Sequence, residues 1–116
     1  MKSEQVYLRH ILDAITRINE YLSGMDEATF YQHNLVQDGV IRQLEIMGEA
    51  VKNLPDNLRQ QYQQVPWKDI AGMRDILIHH YFGVDLEQVW ITVQDDLPGL
   101  QVEVEKILKV VEGETK

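Results

Sequence analysis

With 116 residues, 44% of them hydrophobic and 26% charged, the chain has the length and composition of one globular domain, expected to span 1–116, rather than of a disordered segment. Its 19 acidic residues outnumber 11 Lys and Arg, and the net charge of −8 argues against general nucleic-acid binding through a basic face. Any RNA contact would have to come from a local pocket or a second chain. The absence of cysteine excludes disulfides and thiolate metal sites and fits the cytoplasm, the expected location. No apolar run approaches the roughly 20 residues that cross a bilayer and no signal-peptide pattern opens the chain, so no membrane partner is expected.

Leu8, Ile11, Ile15, Ile18 and Leu22 recur at three- and four-residue steps and predict a helix from Glu4 to Leu22, with Ser3 at its N-cap and Gly24 beyond its end. Asp26 is placed to cap a brief helical turn through Tyr31. A second long helix is expected from about Asn34 to Leu54. Val36, Val40, Leu44, Met47, Val51 and Leu54 form one stripe, and Gln37, Ile41 and Gly48 an adjacent one, so burial over a wide arc is expected until Pro55 stops the helix. A short helix follows at Asp56 to Tyr62, then a turn at Val65-Pro66, and Pro66-Trp67-Lys68-Asp69 opens a further helix. Gly83-Val84-Asp85 breaks that pattern. Asp85 is expected to cap a helix carrying Leu86, Val89, Trp90 and Val93, and Asp96-Leu97-Pro98-Gly99 to open a last one with Leu100, Val104, Ile107, Leu108 and Val111. No segment alternates apolar and polar residues over a strand's length, so the expected fold class is all-α, an antiparallel helical bundle.

The chemistry is concentrated in the helix after Pro66. Within eight residues, Arg74 to Tyr81, stand an arginine, an aspartate, two histidines and a tyrosine. At about 100° per residue, Ile70, Met73, Leu77 and Tyr81 form a core stripe, while Gly72, Asp75 and His79 share the opposite face, with Arg74 at the edge between them. Ile76 and Ile78 flank the polar face, so this helix is apolar nearly all round and is expected to be covered on more than one side. Gly72 gives up roughly 1 kcal/mol of helix propensity relative to alanine, for which close approach of another backbone is a common reason. A symmetric second copy, packed at Gly72, Ile76 and Ile78, would fill that role.

The run Arg74-Asp75-Ile76-Leu77-Ile78-His79-His80-Tyr81 resembles the Arg-x4-His-x-Tyr signature of the HEPN superfamily, specifically the HepT-like toxins, in which a polar residue often follows the arginine, as Asp75 does here. The resemblance extends to Ile46-Met47-Gly48-Glu49-Ala50, to Pro66-Trp67-Lys68-Asp69-Ile70-Ala71-Gly72-Met73 and to Tyr81-Phe82-Gly83-Val84-Asp85, nearly the whole chain. It implies a HEPN-like bundle acting as a homodimer with a composite cleft, a metal-independent ribonuclease without cofactor, and an RNA substrate for which tRNA is the expected class. It also implies that Tyr81 accepts AMP groups from a partner antitoxin of the minimal nucleotidyltransferase class, which silences the nuclease.

Each of these residues has a plainer reading. Cleavage needs a base for a ribose 2′-hydroxyl and a cation for the charged phosphorus centre; His79 suits the first and Arg74 the second, with Asp75 one turn before His79 to orient the imidazole. The plain alternative is a solvated ion pair beside a surface histidine. Tyr81 has the alternative of a core ring with its hydroxyl at the rim, compatible with accepting a modification. His80 is at most an accessory. Adjacent histidines point to different helix faces and no His-x3-His pair exists, so no metal site is expected. His10 and His33 read as isolated, Trp67 and Trp90 as core anchors, Gly48 as a packing residue, and Glu49 as either surface charge or a contact to the Arg74 helix. Three functions are weighed: a toxin-type ribonuclease, for which the intact Arg-x4-His pair speaks; a HEPN-like binding module that docks a nucleotidyltransferase and presents its substrate, for which the acidic composition speaks; and a dimeric scaffold, which leaves Arg74, His79 and Tyr81 idle.

Overall fold

The computed structural model describes the backbone of residues 2–79 and 85–114, and the side chains of 3–73 and 85–113. Among the described residues there are helices and no strand, so the fold is the expected all-α, HEPN-like helical arrangement.

Helix α1, Lys2–Tyr21, buries the predicted stripe of Leu8, Ile11, Ile15 and Ile18, joined by Ala14, and Leu22 just past its end. Ser3 does not cap it. The helix already includes Lys2, so Ser3 lies inside the first turn, where the Glu4 carboxylate suits the positive end of the helix dipole. Gly24 adopts φ +73°, a backbone conformation that L side chains rarely take, and turns the chain out of α1. Asp26 then caps α2, Glu27–Tyr31, accepting a hydrogen bond from the Thr29 backbone N–H at 2.8 Å. In the same turn the exposed Tyr31 hydroxyl donates to Glu27 at 2.6 Å, which pushes its pKa up to about 12.

Helix α3, Asn34–Asn53, is the spine, packed against both α1 and α5, Trp67–His79. Val40, Leu44, Met47 and Val51 are buried, and so are Gln37 and Gly48 from the second stripe, giving the wide buried arc that the sequence suggests. Gln37 is satisfied there because its amide Nε2 donates to the carbonyls of Phe30 at 2.9 Å and Tyr31 at 3.0 Å at the end of α2. Gly39 lies against the ring of Tyr21, and a Cβ there would lie 3.2 Å from two of its carbons. Leu54 is extended, as the residue before a proline should be, and α4, Asp56–Gln61, follows Pro55. The indole of Trp67 donates to the Tyr62 carbonyl at 3.0 Å, tying the end of α4 to the start of α5.

The final part departs from expectation. Asp85 does cap α6, Leu86–Ile91, through the Gln88 N–H at 3.2 Å. However, the chain does not break before Pro98: helical structure runs on through a π-helical turn, Thr92–Asp96, into α7, Leu97–Glu114. The backbone N–H of Leu97 reaches five residues back to the Thr92 carbonyl. Pro98 has no N–H to give, and its ring would collide with the carbonyl four residues back in a regular helix, so the wider turn accommodates it without ending the helix. Leu100, Val104, Ile107, Leu108 and Val111 are buried as expected, and α7 packs along α1. Trp67 is buried; Trp90 is half-buried, its ring centroid 5.4 Å from that of the fully enclosed Phe30.

Candidate functional site: helix α5 and its two flanking recesses

The rotation of α5 about its own axis is set by its first two turns. Trp67 and Ile70 are buried and Met73 packs against the core, which confirms the start of the predicted stripe. The backbone stays helical through His79. Arg74 and His79 therefore stand about 7.5 Å apart along the axis and about 140° apart around it, with Asp75 one turn before His79. A single helix with this register does not direct both positions to one point. The side chains of Arg74, Asp75, Ile76, Leu77, Ile78 and His79 lie outside the described residues, as do His80 and Tyr81 altogether.

Gly72 is half-buried, and a Cβ placed on it would meet no atom within 4 Å. The close approach that a mid-helix glycine suggests is thus made by Gly39 against Tyr21 and not, among the described residues, by Gly72. Gly48 is buried on α3, the helix against which α5 packs. Glu49 is exposed at the surface; the side-chain amide of Asn53 donates to its carbonyl at 2.9 Å and lies 3.5 Å from its carboxylate. His10 and His33 are both exposed, His10 with its ring edge-on to Tyr7.

Two recesses flank the start of α5, and they differ in charge. One, of about 600 Å³, has an apolar floor that includes Met47, Val65, Ile70 and Leu100, and is bordered by Asp69, Asp95, Asp96 and Glu103 with, among the described residues, no lysine or arginine. The π-helical turn contributes Asp95 and Asp96 to it. The other, of about 700 Å³, lies between the end of α3, α4 and the first turns of α5 beside Trp67 and Ala71, and gathers Lys52, Arg59 and Lys68 with Asp56 and Asp69. Arg59 is bonded through Nη2 to Asp56, while its Nε is buried without a hydrogen-bond partner among the described residues. Lys68 has no ion-pair partner among the described residues. Neither recess is evident from local sequence, because each draws on separated elements. One signal was available: Lys68 stands four, seven and eleven residues before Gly72, Asp75 and His79, on their face of the helix. Among the described residues no three His, Asp or Glu side chains are grouped as a metal ion would require. No helix is long and apolar enough to cross a membrane, again among the described residues.

Comparison with known proteins places this geometry in a family. A Caldanaerobacter subterraneus protein named "Putative RNase" is 43% identical over 109 residues, covering 94% of this chain and 97% of its own. A Thermococcus cleftensis protein named "Probable ribonuclease HepT" is 42% identical over 108 residues, covering 93% of this chain and 98% of its own. A Methanocaldococcus jannaschii protein named "Gamma-glutamylcyclotransferase and putative RNase" is 49% identical over 111 residues, 96% of this chain, and the chain spans only 49% of that protein's length. No solved structure matches the chain. The family profile described as "Ribonuclease HepT-like" matches residues 11–107, through α5 and its Arg74-x4-His79 spacing, and the chain belongs to that family.

Proposed function

We propose that the chain, with residues 1–116 acting as a single HEPN-like domain, is a metal-independent endoribonuclease and the toxin of a toxin–antitoxin pair. The observation that supports this reading is the family match over residues 11–107, a range that includes Arg74, Asp75, His79 and Tyr81. Arg74 and His79 are its catalytic residues. The 140° between them on one helix is bridged by a homodimer, in which two copies of α5 cross near Gly72, Ile76 and Ile78 and build one cleft from both chains.

In that cleft His79 takes the proton of a ribose 2′-hydroxyl. The 2′-oxygen bonds to the adjacent phosphorus as the bond from phosphorus to the 5′-oxygen breaks, leaving a 2′,3′-cyclic phosphate. The departing oxygen takes a proton from water or from the protonated His79 of the partner subunit. The Arg74 guanidinium stays charged throughout and holds the phosphate oxygens as charge builds on them. Asp75, one turn before His79, orients the imidazole and favours its protonated form. Tyr81 is the acceptor of AMP groups from a nucleotidyltransferase antitoxin, and the added phosphates neutralise Arg74 and His79 and fill the cleft. The substrate is RNA, with tRNA the class to test first, in the cytoplasm. No cofactor takes part.

The test is growth on induction of the wild-type chain beside Arg74→Ala and His79→Ala, with total tRNA resolved on a gel. Arrest and cleaved tRNA with wild type alone, unaffected by a chelator in the purified reaction, supports the nuclease and both residues. The net charge of −8 favours the rival reading, a docking module for a nucleotidyltransferase. That rival takes over if all three strains grow alike with intact RNA while the protein still binds the transferase.

A further inference from the structure

We propose that the recess formed by Lys52, Arg59 and Lys68 is a phosphate-binding subsite that holds the RNA strand as it leaves the Arg74–His79 cleft. This rests on the ribonuclease reading and adds to it the path of the substrate. A chain with 19 acids and 11 Lys and Arg repels a polyanion over most of its surface, so a binding strand has to follow whatever cations are gathered together. Three of those cations line this one recess, against two carboxylates. The recess on the other flank of α5 presents four carboxylates and, among the described residues, no cation, which makes it the less favourable side for phosphate.

The placement along α5 agrees with the charge. Lys68 lies about 20° from both Asp75 and His79 in helical register, and about 16 Å before His79 along the axis. Ala71, also at the recess, falls in the sector midway between Arg74 and His79. The basic recess and the candidate site are therefore successive stretches of one helix face, separated by a few nucleotides of single strand. Lys52 and Lys68 are exposed, and the long stem of Lys68 lets its ammonium group adjust to the position of a phosphate. Arg59 is partly enclosed, its side chain 30% exposed and fixed to Asp56, and so forms the rigid wall of the site.

The experiment titrates a fluorescent single-stranded RNA oligonucleotide with the His79→Ala protein across a range of KCl. It is compared with the same protein carrying Lys52→Ala and Lys68→Ala, and with a charge-matched control carrying Lys106→Ala and Lys109→Ala on α7. The subsite predicts that the Lys52/Lys68 pair weakens binding about tenfold at low salt. It also predicts that the slope of log K against log salt falls by roughly 0.7 for each phosphate no longer neutralised, while the α7 control stays within about twofold of the parent. Equal binding by parent and Lys52/Lys68 variant, or an equal loss in the control, overturns the subsite and leaves the nuclease reading standing. A parent that binds no RNA, together with a wild-type chain that cleaves none, overturns both.

Discussion

Helices α1 and α5 belong to the same bundle and both pack on it, yet among the described residues only α1 has its apolar stripe fully covered, and α5 is the helix on which the proposed second copy would sit. In α1 the apolar residues Leu8, Ile11, Ile15 and Ile18 are all buried, and Arg9, Asp13, Arg17 and Glu20 between them lie toward solvent. In α5, Trp67 and Ile70 are buried, but Ala71 and Gly72 are left half-covered and a Cβ on Gly72 would meet nothing. Its sequence then continues with three apolar residues in succession, Ile76, Leu77 and Ile78. A one-sided stripe is a statement about a core. Apolar residues all round a helix, with a glycine that nothing described in the chain approaches, are what the proposed dimer would use.

Mutations separate the two kinds of helix. The largest effect on stability is expected in α1, where Ile18 is wholly enclosed: Ile18→Ala should lower unfolding free energy by about 2–5 kcal/mol in urea titrations. In α5 the corresponding experiment should read out on assembly. Ile76→Asp together with Ile78→Asp should leave helical content unchanged but place charges in the proposed interface, weakening self-association by about 2–3 kcal/mol. Light scattering across a dilution series measures this, and cleavage should fall with the dimer. Loss of helix content in this variant, with association intact in what remains folded, would make those isoleucines part of the core and make α5 a helix like α1.

Gly72 gives a smaller and sharper test. Because nothing described in the chain approaches it, Gly72→Ala should stabilise the isolated chain by roughly 0.5–1 kcal/mol through helix propensity alone. Gly39 is the contrasting case, since the methyl of Gly39→Ala meets the Tyr21 ring and keeps its gain in helix propensity only where that ring shifts by a few tenths of an ångström, so it should stabilise less than Gly72→Ala. If a second copy crosses at Gly72, the alanine should also weaken the dimer, so that monomer stability and association move in opposite directions. A gain in both would place the crossing elsewhere on α5.

How much could be read in advance follows the same division. The stripes of α1, α3 and α7 were legible because each buries residues at one helical period, and Asp26 and Asp85 because a short acceptor before a helix has one evident use. Pro98 misled: a proline near an Asp and a Gly reads as a helix opening, and only the backbone shows the five-residue turn that carries the helix past it. Ser3 misled for a related reason, as a good capping residue is also tolerated inside a first turn. At the candidate site, the register of Arg74, Asp75 and His79 is sequence information, since it needs only the helix. The basic recess is not, because Lys52, Arg59 and Lys68 stand on α3, α4 and α5 and meet only after those helices pack.

The smallest expected effect concerns the turn that leads out of α1, the helix whose stripe is covered. The Asp26 carboxylate is held below its ordinary value of 3.8 first by a hydrogen bond with the Thr29 side chain and second by the Thr29 backbone N–H. A carboxyl with a depressed folded pKa binds its proton more readily in the unfolded chain. Its contribution is therefore complete above about pH 4 and is lost as pH falls through the folded value. Asp26→Asn keeps an acceptor oxygen for the same N–H but cannot titrate, so its stability should fall less steeply than wild type as pH drops below about 4, with the two curves converging in acid, where the wild-type carboxyl is protonated, and wild type the more stable toward neutrality. Thermal unfolding followed by circular dichroism at closely spaced pH values measures the difference. Parallel curves would mean that the cap holds α2 by geometry alone, and the acid sensitivity of the bundle would then have to come from carboxylates elsewhere.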